Sequence, residues 1–105
     1  MDHTVLAFFV VALALLAGCD SPTPAVARWQ HVTVSEGGMT FGIHWDRGKR
    51  RAEAYRTSRH LRPRLRDVMA NARLAIERAS GCSVPEGGLG GDHAIVTARL
   101  DCPDG

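Results

Sequence analysis

An uninterrupted apolar run near the amino terminus limits how much of this 105-residue chain can join a folded body. The run extends from Val5 to Ala17 and is too short for a permanent membrane span, which needs about 20 residues. It has the length of the hydrophobic region of a secretory signal, and Ala17 and Gly18 are the small residues expected at a cleavage site. The alternative is a buried N-terminal helix, although the Ser-Pro-Thr-Pro segment that follows offers it no polar face.

The run ends in Leu16-Ala17-Gly18-Cys19, which resembles the lipobox of bacterial lipoproteins. In that family the cysteine thiol receives a diacylglyceryl group, a peptidase cuts before the cysteine, and the new amino terminus is often acylated. The resemblance implies that residues 1–18 are a signal peptide and that lipidated Cys19 anchors the chain in the bacterial cell membrane, facing the periplasm or the exterior. Asp20 resembles the signal that retains some lipoproteins in the inner membrane. The sequence does not decide between the inner and the outer membrane as the site of the anchor.

The cysteine count agrees with this assignment. The chain has three cysteines, and an odd number in an exported protein leaves one thiol without a partner. Lipidation of Cys19 would leave Cys82 and Cys102 as a pair, and an oxidising compartment permits a disulfide between them. Closing a loop of about 21 residues would stabilise the fold by about 3 kcal/mol. The alternative is two independent reduced thiols.

The chain after the signal divides into a spacer and one small domain. Residues 19–27 are rich in proline, serine and alanine, which is typical of a linker. The eight residues that follow Cys19 reach at most about 26 Å when extended. Residues 28–105 are then a single domain held near the membrane, and a body of this size commonly needs a covalent staple.

Alternating apolar residues on both sides of Gly37-Gly38 predict a β-hairpin. If the two glycines form a two-residue turn, Glu36 pairs with Met39. One face of the hairpin then carries the apolar side chains Val32, Val34, Phe41 and Ile43. A four-residue loop would keep these faces but shift the partners by two residues, so the exact pairing stays open.

The middle of the domain contains a helix and a segment of ambiguous pattern. Residues 50–57 alternate in a way that favours a third strand, although their helix-forming residues leave a helix open. A stripe of apolar residues at spacings of three and four predicts an amphipathic helix from about Arg62 to Ser80. Pro63 suits the first turn of this helix, and Gly81 suits the position just after its end.

The carboxy-terminal part is expected to form a flexible connection, PEGGLGG, followed by a final strand. One face of that strand would carry Ala94, Val96, Ala98 and Leu100. The predicted fold class is therefore α+β: a small antiparallel sheet, β-β-(β)-α-β along the chain, with one amphipathic helix packed on it. A disulfide between Cys82 and Cys102 would join the end of the helix to the end of the last strand.

A strongly basic stretch lies between the predicted hairpin and the helix. Residues 47–66 contain nine Lys or Arg residues against one acid, Glu53, whereas the whole chain has a net charge of +2. Near a membrane rich in anionic lipid, each basic residue contributes about 1 kcal/mol of attraction. The candidate surface for anionic lipid or an anionic envelope polymer comprises Arg47, Lys49, Arg50, Arg51, Arg56, Arg59, Arg62 and Arg66. The alternative is a solvated face that only gives solubility.

Nucleic acid and metal ions are the less favoured partners. Export removes most contact with nucleic acid, and Tyr55 is the one aromatic residue of the basic stretch that could stack on bases. The metal-ligating candidates are His31, His44, His60, Asp92 and His93. The two-residue turn would place His31 across from His44, but two imidazoles lack the third ligand of an ordinary zinc site, so we expect neither a metal nor a cofactor.

The sequence carries no assembled catalytic motif. None of its serines lies in a G-x-S-x-G frame, and PEGGLGG lacks the Gly-Lys-Ser/Thr of a phosphate-binding loop. We therefore expect a small lipid-anchored envelope protein that acts as a binding or scaffolding module rather than as an enzyme, with an unknown protein partner. The alternatives are a periplasmic ligand- or metal-binding protein and an enzyme inhibitor.

Overall fold

The computed structural model describes residues 24–59 and 62–103. The predicted signal peptide, Cys19 and His60 fall outside these residues. Each helix among the described residues is too short or too polar to span a bilayer. The elements in chain order are α1 (Pro24–Ala27), β1 (Gln30–Glu36), β2 (Met39–Asp46), β3 (Arg51–Arg56), α2 (Leu65–Ser80), β4 (Leu89–Gly91) and β5 (Ile95–Arg99).

The strands form one antiparallel sheet in the order β1-β2-β3-β5-β4, and α2 packs on one of its faces. We call the face that contacts α2 the inner face and the opposite one the outer face. The predicted α+β class is confirmed. The ambiguous residues 50–57 form a strand at Arg51–Arg56, because pairing with β2 and β5 on both sides outweighs the helix propensity of their Arg, Ala and Glu residues.

The hairpin has the register expected for a two-residue turn, with Glu36 opposite Met39 and Val32 opposite Ile43. Gly37 and Gly38 both have positive φ angles, of 59° and 79°, which glycine adopts without steric cost. This register places the apolar residues of both strands on the inner face. It also sets which polar residues share the outer face.

The core lies between the inner face and α2. Phe41 and Ile43 on β2 are fully buried, and the small residues Ala52 and Ala54 lie beside them on β3. The helix contributes the buried side chains Val68, Ala72, Ala75 and Ile76. Alanines on both surfaces let the helix pack closely against the sheet, so a small domain still excludes water from its centre.

The helix begins at Leu65, three residues later than expected. Pro63 therefore precedes the helix instead of lying in its first turn. Arg62 has a φ of 53°, outside the right-handed helical region that a residue before proline avoids for steric reasons. Arg64, which follows the proline, is extended. At the other end Gly81 adopts the expected left-handed conformation, and its N–H donates to the carbonyl oxygen of Glu77 at 3.0 Å.

The glycine-rich segment contains a strand that the sequence pattern does not indicate. Leu89–Gly91 pairs with β5 as the short edge strand β4. Gly91 has a φ of 99°, and a Cβ there would lie 2.1 Å from the carbonyl oxygen of Ile95. Glycine permits this close pairing and also removes the alternating side chains by which a strand is recognised.

The last strand is shorter than expected. Val96, Ala98 and Leu100 are buried as predicted, but Ala94 precedes the strand and is exposed. The predicted disulfide is present: Cys82 and Cys102 are bonded, with their Cα atoms 4.4 Å apart. It joins the segment after α2 to the segment after β5.

Candidate binding surfaces

The outer face carries a row of polar side chains at directly paired positions. His31, His44 and Glu53 are consecutive partners across β1, β2 and β3, and Thr97 on β5 continues the row. The two imidazole rings stack with their centroids 5.5 Å apart. The predicted juxtaposition of His31 and His44 is therefore confirmed.

Tyr55 joins this row from the neighbouring position of β3. Its ring meets His44 edge to face at a centroid distance of 5.4 Å, and its hydroxyl donates a hydrogen bond to a carboxylate oxygen of Glu53. Burial, then the hydrogen bond and negative charge of Glu53, raise the pKa of Tyr55 well above its ordinary value. Tyr55 is thus a neutral donor whose phenol stays oriented along the face.

The short helix α1 lies against this face beside His44. Val26 is buried, with 5% of its surface exposed, and its backbone is hydrogen-bonded to the His44 imidazole. Burial and the nearby charge of His31 lower the pKa of His44, and they outweigh the opposing effects of Glu53 and the Val26 backbone. The last residues of the predicted spacer therefore fold back onto the domain at this point.

Two further metal-ligand candidates, Asp92 and His93, lie in the turn between β4 and β5. The carboxylate of Asp92 accepts hydrogen bonds from the N–H groups of Ala94 at 2.8 Å and Ile95 at 2.9 Å. These bonds lower the pKa of Asp92, with the one from Ile95 the larger cause. The backbone carbonyl of His93 accepts a bond from Arg56. Within residues 24–59 and 62–103, no three His, Cys, Asp or Glu side chains lie together so that they could hold a metal ion.

The structure separates the basic stretch into two groups at opposite ends of β3. Arg51 and Arg56 are the first and last residues of that strand, and five residue steps of about 3.3 Å place them roughly 17 Å apart. The group at the beginning of β3 lies in the turn that follows β2. The group at its end lies in the connection to α2.

The group after β3 is partly committed to holding the fold. The Arg56 guanidinium donates to the carbonyl oxygens of His93 at 2.8 Å and Ser58 at 2.9 Å. Arg66 lies 3.9 Å from Asp67, and both side chains are largely exposed. This group contains four arginines of the predicted candidate surface: Arg56, Arg59, Arg62 and Arg66.

The group before β3 gains a further arginine from β5. Arg99 is the direct cross-strand partner of Arg51, and both side chains are exposed on the outer face. Asp46 pairs with Arg51 on the other side, and its carboxylate also accepts the Lys49 backbone N–H at 3.1 Å. We call this group the basic corner; it consists of Arg47, Lys49, Arg50, Arg51 and Arg99.

The amino-terminal segment joins the sheet at the same corner. A groove of about 280 Å³ separates Arg28 and Trp29 from the end of β2, where Trp45 and Arg47 contribute to its wall. Trp29 therefore lies next to the basic corner, whereas the Trp45 side chain is on the inner face and packs against the core. The indole N–H of Trp29 is buried and has no hydrogen-bond partner among the described residues.

The sequence predicts neither the place of Arg99 in the basic corner nor α1. Arg99 lies far along the chain from the basic stretch, and only the pairing of β3 with β5 brings it beside Arg51. The alternation of β5 does indicate that Arg99 points away from the core, but it does not identify its neighbour.

No protein-family model, no curated protein and no solved structure matches this chain.

Proposed function

We propose that this protein is a lipid-anchored domain of the bacterial envelope that binds the anionic surface of its own membrane through the basic corner. The observation that carries the proposal is the pairing of Arg51 with Arg99 on the outer face. Like charges directly across a sheet repel one another. A phosphate group between the two guanidinium groups would remove this repulsion and accept hydrogen bonds from both.

The position of the amino-terminal segment supports the same orientation. The described chain begins at Pro24 and reaches the sheet at Gln30, beside the basic corner. Five residue steps separate Cys19 from Pro24, a distance of at most about 18 Å. A lipid on Cys19 would therefore hold the basic corner within reach of the headgroups, with the outer face of the sheet on the membrane side.

Anchor and charge act together in this proposal. The two acyl chains of a diacylglyceryl group hold the chain in the bilayer, and the basic surface sets how the tethered domain lies on the headgroups. Each arginine or lysine near an anionic surface contributes about 1 kcal/mol. The five cations of the basic corner are sufficient to keep an already tethered domain in contact with the headgroups, and salt would weaken that contact.

The anchor is tested by metabolic labelling. Cells that express the full chain are grown with a clickable fatty acid, and the wild type is compared with Cys19→Ala. We expect label on the wild type and none on the variant. Equal labelling of both proteins would refute the lipid attachment at Cys19.

The orientation is tested by tryptophan fluorescence in a Trp45→Phe background, so that the signal comes from Trp29, which borders the basic corner. The full chain is reconstituted into vesicles that contain a small fraction of lipid with a nitroxide on its headgroup, in either a phosphatidylglycerol or a phosphatidylcholine host. We expect stronger quenching in the anionic host. Replacing Lys49 and Arg51 by glutamine should remove about 2 kcal/mol of attraction, which lowers the docked population relative to the undocked one by about 30-fold.

The matched control removes the same charge at the other end of β3. Arg59 and Arg66 are also exposed, and the Arg59→Gln, Arg66→Gln variant should retain the wild-type quenching in anionic vesicles. Equal quenching in both lipid hosts, or an equal loss in the two double variants, would refute the proposed orientation. Circular dichroism of each variant establishes that the fold is retained.

A further inference from the structure

The first strand is an open sheet edge with few of the features that prevent strands from associating. β1 is seven residues long and lies at one end of the sheet. Its sequence, QHVTVSE, contains no proline and no lysine, and its pairing with β2 is regular throughout. Such an edge is a template for another strand. The opposite edge, β4, has only three residues.

The hydrogen bonds of β2 show which groups of β1 face outward. Thr40 directs its backbone away from β1, because its N–H donates to Ser58 and its carbonyl accepts from Thr57. Its partner Ser35 therefore belongs to a non-hydrogen-bonded pair, and pairs alternate along an antiparallel ladder. The N–H and carbonyl groups of His31, Thr33 and Ser35 consequently point to the open edge.

We infer that β1 is the interface through which two copies of this chain associate, with their first strands antiparallel about Thr33. The three residues with outward backbone groups are spaced symmetrically about Thr33. In this arrangement Thr33 pairs with itself and His31 pairs with Ser35 of the other copy, which forms six backbone hydrogen bonds. All seven residues of both strands are then paired, and the contact is the self-complementary type typical of two-fold dimers.

The charges at the strand ends fit this register. Gln30 of one copy lies opposite Glu36 of the other, so that no like charges face each other. Arg28 precedes the strand by two residues, and the pairing brings it to the Glu36 end of the neighbouring strand. Each dimer would contain two such contacts between opposite charges.

Exposed apolar side chains flank the same edge. Val32 is 42% exposed although it lies on the inner face, and it lines a groove of about 420 Å³ together with Val34 and Ala79. Leu74 is 47% exposed. It lies on the same stripe of α2 as Arg78, which contacts Glu36 of β1 at 2.6 Å. Pairing about Thr33 would place Val32 opposite Val34 of the second copy and cover both.

The two-fold axis of this dimer runs perpendicular to the sheet. Both helices α2 therefore remain on one side of a continuous ten-stranded sheet, and both helices α1 remain on the other. The amino-terminal segments of the two copies leave on the same side. This arrangement lets both copies attach to one membrane, although the pairing itself does not depend on attachment.

Cysteine crosslinking tests the register. In the full chain with Cys19→Ser, Thr33→Cys is oxidised mildly and examined on a non-reducing gel. Residues in a hydrogen-bonded pair have Cα atoms about 5.5 Å apart, within the range of a disulfide. We expect most of the Thr33→Cys protein to form a covalent dimer. Ser35→Cys is the matched control and should stay monomeric, because the two copies of residue 35 lie four residues out of register.

A second pair of variants tests the same contact without changing Thr33. Chains with His31→Cys and chains with Ser35→Cys, each in the Cys19→Ser background, are oxidised separately and as a mixture. We expect crosslinked dimers predominantly in the mixture, because residue 31 faces residue 35 of the other copy. Absence of crosslinking at Thr33 and in the mixture, or crosslinking of Ser35→Cys alone to the extent of Thr33→Cys, would refute the dimer.

Discussion

The imidazole rings of His31 and His44 stack across β1 and β2 with their centroids 5.5 Å apart, and only His44 is covered by α1. Burial is the main cause of the lowered pKa of His44, and the charge of His31 adds to it. The unfolded chain therefore binds a proton on His44 at a pH where the folded protein does not. We expect the free energy of unfolding to fall as the pH drops below about 6.5.

This pH dependence is tested with His44→Gln. Chemical denaturation of the wild type and the variant at a series of pH values between about 7 and 5 should give a smaller slope for the variant. NMR titration of the histidines measures the pKa of His44 directly. The control variant is His31→Gln, which removes a nearby positive charge and should raise the pKa of His44. A wild-type pKa for His44 at or above its ordinary value would contradict the interpretation.

Tyr55 is the single tyrosine of the chain, so ultraviolet absorbance of phenolate reports on it alone. Since burial and Glu53 raise its pKa, we expect little phenolate in the folded protein at pH 10.5, where an ordinary tyrosine with a pKa of about 10 is mostly ionised. Above pH 10 the unfolded chain loses this proton first, so stability should decrease with rising pH. Glu53→Gln should lower the pKa of Tyr55, and an unchanged titration would exclude the role given to that carboxylate.

The bond between Cys82 and Cys102 should contribute about 3 kcal/mol to the free energy of unfolding, because it closes a loop with a sequence separation of 20. The double variant Cys82→Ala, Cys102→Ala is compared with the wild type by urea denaturation. Cys19→Ser is the matched control, since it removes a cysteine outside the pair and should leave the midpoint unchanged. Equal destabilisation by both changes would argue against a specific role of the disulfide.

Gly37 and Gly38 form the hairpin turn, but only Gly37 lies against another side chain. A Cβ at Gly37 would lie 2.2 Å from the side-chain oxygen of Asn71, whereas a Cβ at Gly38 meets nothing within 4 Å. Alanine at either position has an unfavourable positive φ. We expect Gly37→Ala to destabilise by about 1 kcal/mol more than Gly38→Ala, and Asn71→Ala should remove most of this difference. Denaturation midpoints of Gly37→Ala and Gly38→Ala, each with and without Asn71→Ala, provide the measurement.

Arg56 was assigned to the basic surface from its position in the sequence, but its guanidinium bonds two backbone carbonyls. Arg56→Gln should therefore lower stability by about 1.5–3 kcal/mol, the range for hydrogen bonds to charged groups. Exposed Arg59 is the comparison, and Arg59→Gln should change stability by less than about 0.5 kcal/mol. A similar effect of both changes on thermal unfolding would show that the two bonds contribute little.

Local patterns were sufficient for much of the fold. The alternation on both sides of Gly37-Gly38 predicted the hairpin and its faces. Of the two registers that it left open, the structure has the one set by a two-residue turn. The apolar stripe predicted α2, and Gly81 marked its end correctly. These features depend on residues close together in the chain, where side-chain periodicity and glycine geometry act directly. Strand β4 was missed because glycines carry no such periodicity.

The amino-acid sequence by itself determined the apolar run with its terminal Cys19, the amphipathic helix, the hairpin faces and the pairing of Cys82 with Cys102. Only the tertiary structure decided that the basic stretch is divided by β3, that Arg99 joins one of its halves and that α1 covers His44. The reason is physical. A residue's own neighbours along the chain set its local conformation, whereas the pairing of β3 with β5 depends on the whole sheet and decides which distant charges meet.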